Sequence, residues 1–157
     1  MSTPPSTLPA SGDAAIALLW DLDNVSVPVA DMDSLTQAVT QLLPPGAPAV
    51  ASAHWRAFRL YGDTLRAHGI RVLCGARHPD GADGVLLRQA RRLRKRGVEQ
   101  FLVASNDGVF ARLAASAEVH VLTLTGDLVS GRLRAAARSV TMLTREDGDW
   151  RVARQAA

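Results

Sequence analysis

Five apolar residues, Ile16-Ala17-Leu18-Leu19-Trp20, run without a break into Asp21-Leu22-Asp23-Asn24. A short continuous apolar run followed at once by polar residues is the pattern of a strand buried on both faces, and parallel sheets covered by helices bury strands in this way. The change to acids marks the carboxyl end of such a strand. In an open parallel sheet ligands bind in the crevice outside those ends. Carboxylates crowded at a strand exit repel one another unless a proton or a cation sits between them. Asp23 and Asn24 would equally suit a turn, whereas Asp21, directly after the buried run, fits that simpler role less well.

The rest of the chain repeats the alternation. Residues 1–13 carry Pro4, Pro5 and Pro9 among small polar residues, without apolar periodicity, and read as a flexible tail. Met32, Leu35, Val39, Leu42 and Leu43 have helical spacing, ended by Pro44-Pro45-Gly46. A second strand is expected over 50–58, a short helix over 61–68, a third strand over 70–74 and a helix over 83–96 closed by Gly97. A fourth strand over 101–104 leads into a helix over 109–116, then a fifth strand over 119–125 and the turn Gly126-Asp127. A helix over 131–138 and an edge strand over 140–143 complete the pattern, and 145–157 reads as a charged tail anchored by Trp150 and Val152. Such alternation predicts one domain over 14–144, a three-layer α/β/α Rossmann-like sandwich around a mainly parallel sheet.

Composition narrows the function classes. Cys74 is the single cysteine, which excludes an internal disulfide and a multi-cysteine zinc site, and its place after Arg71-Val72-Leu73 predicts a buried small residue. No apolar run is long enough to span a membrane. The start has neither the basic residues nor the apolar core of a signal peptide, so a cytoplasmic location is expected. The net charge of +3 rests on arginine, with Lys95 the only lysine, a composition compatible with bidentate phosphate binding.

Three acids then fall at one edge of the expected sheet. Asp21 follows strand one, Asp107 follows strand four, and Asp83 opens the helix after strand three. Strands one and four are neighbours where the strand order reverses, so Asp21 and Asp107 would flank the switch-point crevice. Hard oxygen ligands without a histidine or cysteine cluster point to Mg²⁺ or Mn²⁺. Asp83 could instead be a helix cap. The helix it opens carries Arg88, Arg91, Arg92, Arg94, Lys95 and Arg96 against apolar Leu86, Ala90 and Leu93. That is either a solvated face or a phosphate-tracking surface led by Arg88 and Arg92. His78 sits in a loop near the site, and His120 alternates with Val119 and Val121 and is expected to face solvent or the other layer. Trp55, near the second strand with His54 and Arg56, is expected in the core, with stacking on a base or ribose as the alternative.

Trp20-Asp21-Leu22-Asp23-Asn24-Val25 resembles the opening motif of NYN domains, a family of PIN-like ribonucleases. Gly81-Ala82-Asp83-Gly84 resembles that family's second motif, and Ser105-Asn106-Asp107-Gly108-Val109-Phe110 its third, usually Ser-x-Asp-x-Asp-Phe. The three come in the family's order. The resemblance implies a PIN-like sandwich and metal-dependent hydrolysis of RNA. Asp21, Asp83 and Asp107 would hold Mg²⁺ or Mn²⁺, and Asn24, Ser105 and Asn106 would meet the ligand or its phosphate. Val109 departs from the pattern, which has an acid there, and Asp127 at the exit of strand five is the candidate to replace that charge. RNA is the implied partner, with a second copy of the chain or another protein left open. Two other readings stand beside it. One is a degenerate NYN module that binds RNA or protein without cutting. The other is a haloacid-dehalogenase-type phosphatase, with Asp21 as nucleophile and Asp23 as general acid, although it lacks the later lysine and acidic pair.

Overall fold

Each apolar run becomes a strand and each amphipathic stretch a covering helix. The structure, a computed structural model, describes residues 15–75 and 81–156. In chain order the elements are β1 (Ile16–Asp21), α1 (Val29–Thr40), β2 (Ala49–Ala53), α2 (Trp55–Ala67), β3 (Arg71–Cys74) and α3 (Gly81–Lys95). Then follow β4 (Gln100–Ala104), the 3-10 helix η1 (Gly108–Ala115), β5 (Glu118–Leu124), α4 (Gly131–Ala136), β6 (Ser139–Glu146) and β7 (Asp149–Ala156). The seven strands form one sheet in the order β3-β2-β1-β4-β5-β6-β7. All neighbouring pairs are parallel except β6 with β7. The reversal of strand order falls between β1 and β4, as in doubly wound sheets.

Strand periodicity divides the interior. Leu18, Trp20, Ala51, Leu102 and Leu122 join Met32, Leu35 and Val39 of α1 and Leu65 of α2 on one face. Ala17, Leu19, Phe101, Val103 and Val121 join Leu86, Ala90 and Leu93 of α3, Phe110 of η1 and Leu133 of α4 on the other. The result is the expected three-layer α/β/α sandwich.

Several boundaries differ from expectation. The second strand stops at Ala53, and α2 begins at Trp55 rather than near residue 61. The reason lies outside the segment: both carboxylate oxygens of Asp23 accept the His54 N–H, at 2.9 and 3.1 Å, and cap the helix from another loop. On α2, Leu65 points inward and Phe58 and Tyr61 pack against the core, while Trp55 lies outside at 44% exposure, not in the core. Cys74, expected inside, is exposed at the end of the edge strand β3.

The charged C-terminal segment is not a tail. Asp147-Gly148, both at positive φ (49° and 83°), make the two-residue turn that folds β7 back on β6, with Glu146 opposite Asp149. An expected edge strand thereby becomes an inner one. Trp150 and Val152 do anchor the segment, packing on the α1 face, and the Trp150 indole N–H donates to Ser34 Oγ at 3.0 Å. Arg145 pairs with Asp31 of α1 at 2.9 Å. His120 is buried, bonded to Ser139 Oγ at 2.7 Å and to Glu118 at 2.9 Å. The expected N-terminal tail over 1–13 and His78 lie outside the described residues. Among the described residues no helix is long and apolar enough to cross a membrane.

Candidate active site

Asp21 is the last residue of β1 and only 2% of it is exposed. The chain turns sharply after it: the Asp21 carbonyl accepts from the N–H groups of Asn24 and Val25 at 3.1 and 2.9 Å. The Trp20 indole N–H fixes that turn by donating to the Val25 carbonyl at 2.8 Å. Sheet pairing brings the next part. Trp20 lies opposite Ala104 at the end of β4, so Ser105 arrives beside Asp21 and donates its hydroxyl to Asp21 Oδ2 at 3.1 Å. The same hydroxyl oxygen accepts the Asp107 N–H at 3.1 Å, which aims Asp107 back toward the exit of β1.

The predicted amides form the frame around this pair. Asn24 Oδ1 accepts the Asn106 N–H at 3.3 Å, and Asn106 Oδ1 accepts from the Thr123 hydroxyl at 2.5 Å. The ends of β1 and β4 are thereby joined side chain to backbone, and those of β4 and β5 side chain to side chain. Thr123 was not anticipated. In the sequence it is only an alternating position of a strand, and its role depends on which strand lies beside it.

Asp83 comes from the first turn of α3. Gly75, at the end of β3, lets that turn come close: a Cβ there would lie 2.6 Å from the Ala82 nitrogen. Asp83 reaches hydrogen-bonding range of both Asp21 and Asp107. Burial first, then the charge of Asp21 and the neighbouring Asp107, push its carboxyl up to about 8. Asp21 is also raised, chiefly by burial, against the opposing bonds from Asp83 and Ser105. Its Oδ1 is buried without a hydrogen-bond donor.

The three predicted aspartates are therefore brought together, with Asp83 in the middle. Such a cluster is complete only with a shared proton or a cation. Among the described residues no group of three or more histidine, cysteine, aspartate or glutamate side chains is already arranged to hold a metal ion. Asp107 explains part of this, because its Oδ1 accepts the Val109 N–H at 2.9 Å and caps η1. Mg²⁺ commonly takes only one or two carboxylates and keeps several waters. The buried, donorless Asp21 Oδ1 and its contact with Asp83 fit that smaller demand.

Other predicted residues fall elsewhere. Asp127 is exposed in the turn after β5, and among the described residues its carboxylate makes no hydrogen bond or ion pair and nothing joins it to the cluster. Arg88 and Arg92 lie exposed on α3. Asp23, the general acid of the phosphatase reading, is turned onto the His54 N–H, and the would-be nucleophile Asp21 is buried. That arrangement disfavours the phosphatase.

No family of known proteins and no curated protein matches the chain. Among solved structures, the crystal structure of a protein of unknown function from Vibrio parahaemolyticus is similar, with a TM-score of 0.56 and 18% identity over 90% of this chain and 99% of that one. At that identity the likeness concerns the fold.

Proposed function

We propose that this protein is a ribonuclease of the NYN type that hydrolyses RNA phosphodiester bonds with Mg²⁺ or Mn²⁺. The observation that carries the reading is the meeting of Asp21, Asp83 and Asp107 at the switch point, where burial first and then the neighbouring acids hold the Asp83 carboxyl at about 8. Asp21 and Asp83 are the residues that would hold the ion, with Asp107 joining them if it leaves its cap on Val109. A bound divalent cation supplies an acidified water and neutralises charge developing on the phosphate. Ser105 fixes the orientation of Asp21, and Asn24 and Asn106 hold the loops that a phosphate would approach. Arg88 and Arg92 on α3 would meet more distant phosphates. A cytoplasmic location goes with this reading.

Two observations favour a second reading, a module that binds RNA without cutting it. Val109 stands where the motif has an acid, and Asp107 is engaged in capping η1. One experiment separates them. Labelled single-stranded RNA is incubated with Mn²⁺ and wild-type protein, the Asp21→Asn variant, or wild type with EDTA. Cleavage lost in both controls supports the nuclease. Metal-independent binding without cleavage supports the module and refutes the nuclease.

A further inference from the structure

The sequence holds three tryptophans, and two are explained by the fold. Trp20 is fully buried with its indole N–H on the Val25 carbonyl, and Trp150 packs on the core with its N–H on Ser34. Trp55 is different. It begins α2, is 44% exposed, and its indole makes no hydrogen bond to another described residue. Arg59, one turn on, lies over the ring with its guanidinium carbon 5.4 Å from the centroid. That stack covers part of the indole, and 44% of the residue stays exposed.

The position is set by the sheet. Ser52 of β2 lies opposite Asp21 in the parallel ladder, and Trp55 follows three residues later. A strand spacing of about 5 Å and three residues of at most about 3.5 Å each put the Trp55 Cα within about 15 Å of the Asp21 Cα. Both therefore stand at the carboxyl edge of the sheet, and Asp23, two residues from Asp21, ties the start of α2 to the loop after β1. The charged side chains of α2 that flank Trp55 are cationic, while the Asp23 carboxylate beside them is held on the His54 N–H. Asp63, the one acid of α2, pairs with Arg66 at 2.9 Å further along, which leaves Arg56 and Arg59 next to Trp55.

We infer that Trp55, backed by Arg59, is a stacking platform for a nucleobase of single-stranded RNA flanking the bond placed at the carboxylates. The inference rests on the ribonuclease reading for the position of that bond, and on the Trp55–Arg59 pair for the rest. An indole beside two arginines suits a base with its neighbouring phosphates, since every base offers a flat π-face and the backbone is anionic. A duplex keeps its base faces stacked inside, so the platform selects single strands.

The test is binding in EDTA, where cleavage plays no part. A fluorescently labelled oligouridylate and a duplex RNA of equal length are titrated with wild type, Trp55→Ala, Trp55→Phe and Arg59→Gln. Anisotropy gives affinity, circular dichroism the fold, and sedimentation the oligomeric state. Trp55→Ala should weaken single-strand binding by about 5- to 100-fold, with Trp55→Phe retaining most of it and duplex binding little changed. Absence of binding by wild type, equal affinity of wild type and a folded Trp55→Ala, or a Trp55→Ala effect confined to self-association would each overturn the platform. Trp55-dependent binding without metal-dependent cleavage would keep the platform and sink the nuclease, and cleavage with Trp55-indifferent binding would do the reverse.

Discussion

Replacing Asp83 by Asn tests the carboxylate cluster without assuming any substrate. In the folded protein the Asp83 carboxyl is held near 8, against an ordinary value of 3.8. A group raised on folding contributes its full stability below the unfolded value and loses it progressively as pH climbs toward the folded value. Without metal, the protein should therefore weaken between about pH 4 and about pH 8, at up to roughly 1.4 kcal/mol per pH unit for one proton. Taken to neutrality that slope sets a ceiling of about 4 kcal/mol, and water reaching the half-buried cluster reduces it to on the order of 2 kcal/mol. Asn keeps the shape and cannot ionise, so Asp83→Asn should be more stable than wild type by that amount near neutral pH and indistinguishable in acid. For a chain of this size the gain corresponds to a rise in Tm of about 4–8 °C. Urea unfolding in EDTA at several pH values measures both. A variant no more stable than wild type near neutral pH, or a difference that does not grow with pH, would refute the idea that the carboxylates confront one another.

Ser105→Ala removes the donor to Asp21 and the acceptor of the Asp107 N–H, so stability should fall by about 1–3 kcal/mol in urea unfolding, with a further drop in any metal-dependent cleavage. Asp23→Ala uncaps α2 and should lower stability by about 1 kcal/mol while metal binding, read by calorimetry, stays as in wild type. His120 is lowered from its ordinary 6.5, chiefly by burial, so its contribution is present above about pH 6.5 and is lost as pH falls. His120→Gln should accordingly flatten the acid side of the stability profile measured by thermal unfolding.

Strands β1, β4 and β5 were legible because burial on both faces leaves an unbroken apolar run, and their order could be inferred from the alternation with helices. The meeting of Asp21 with Asp107 follows from that order alone. Asp83 was legible as the start of a helix, yet its approach depends on Gly75 and Ala82, a close contact that carries no sequence period. The start of α2 was misread because its cap, Asp23, lies 31 residues away. Strand β7 was missed for another reason. It is an edge strand with one face in water, where Arg151 lies, and Arg154 interrupts the inner face behind Trp150 and Val152, so the alternation was masked and the Asp147-Gly148 turn signal went unused. The exposure of Trp55 was hidden because 50–58 reads as a buried strand, in which a tryptophan is expected to be core, whereas the residue opens a helix.

The Ser105–Asp21 bond joins residues 84 apart, across the β1–β4 seam. The exposed Gly97 turn before β4 divides the chain so that Asp21 and Asp83 fall in one half and Ser105 and Asp107 in the other. During synthesis, the first half can emerge with its own three strands and still lack the acid and hydroxyl that complete the cluster. Two fragments broken at Gly97 would each carry only part of the cluster, and under the proposed function cleavage would become a signal that the halves have found each other. The seam that builds the site thus makes this chain a natural starting point for a split reporter.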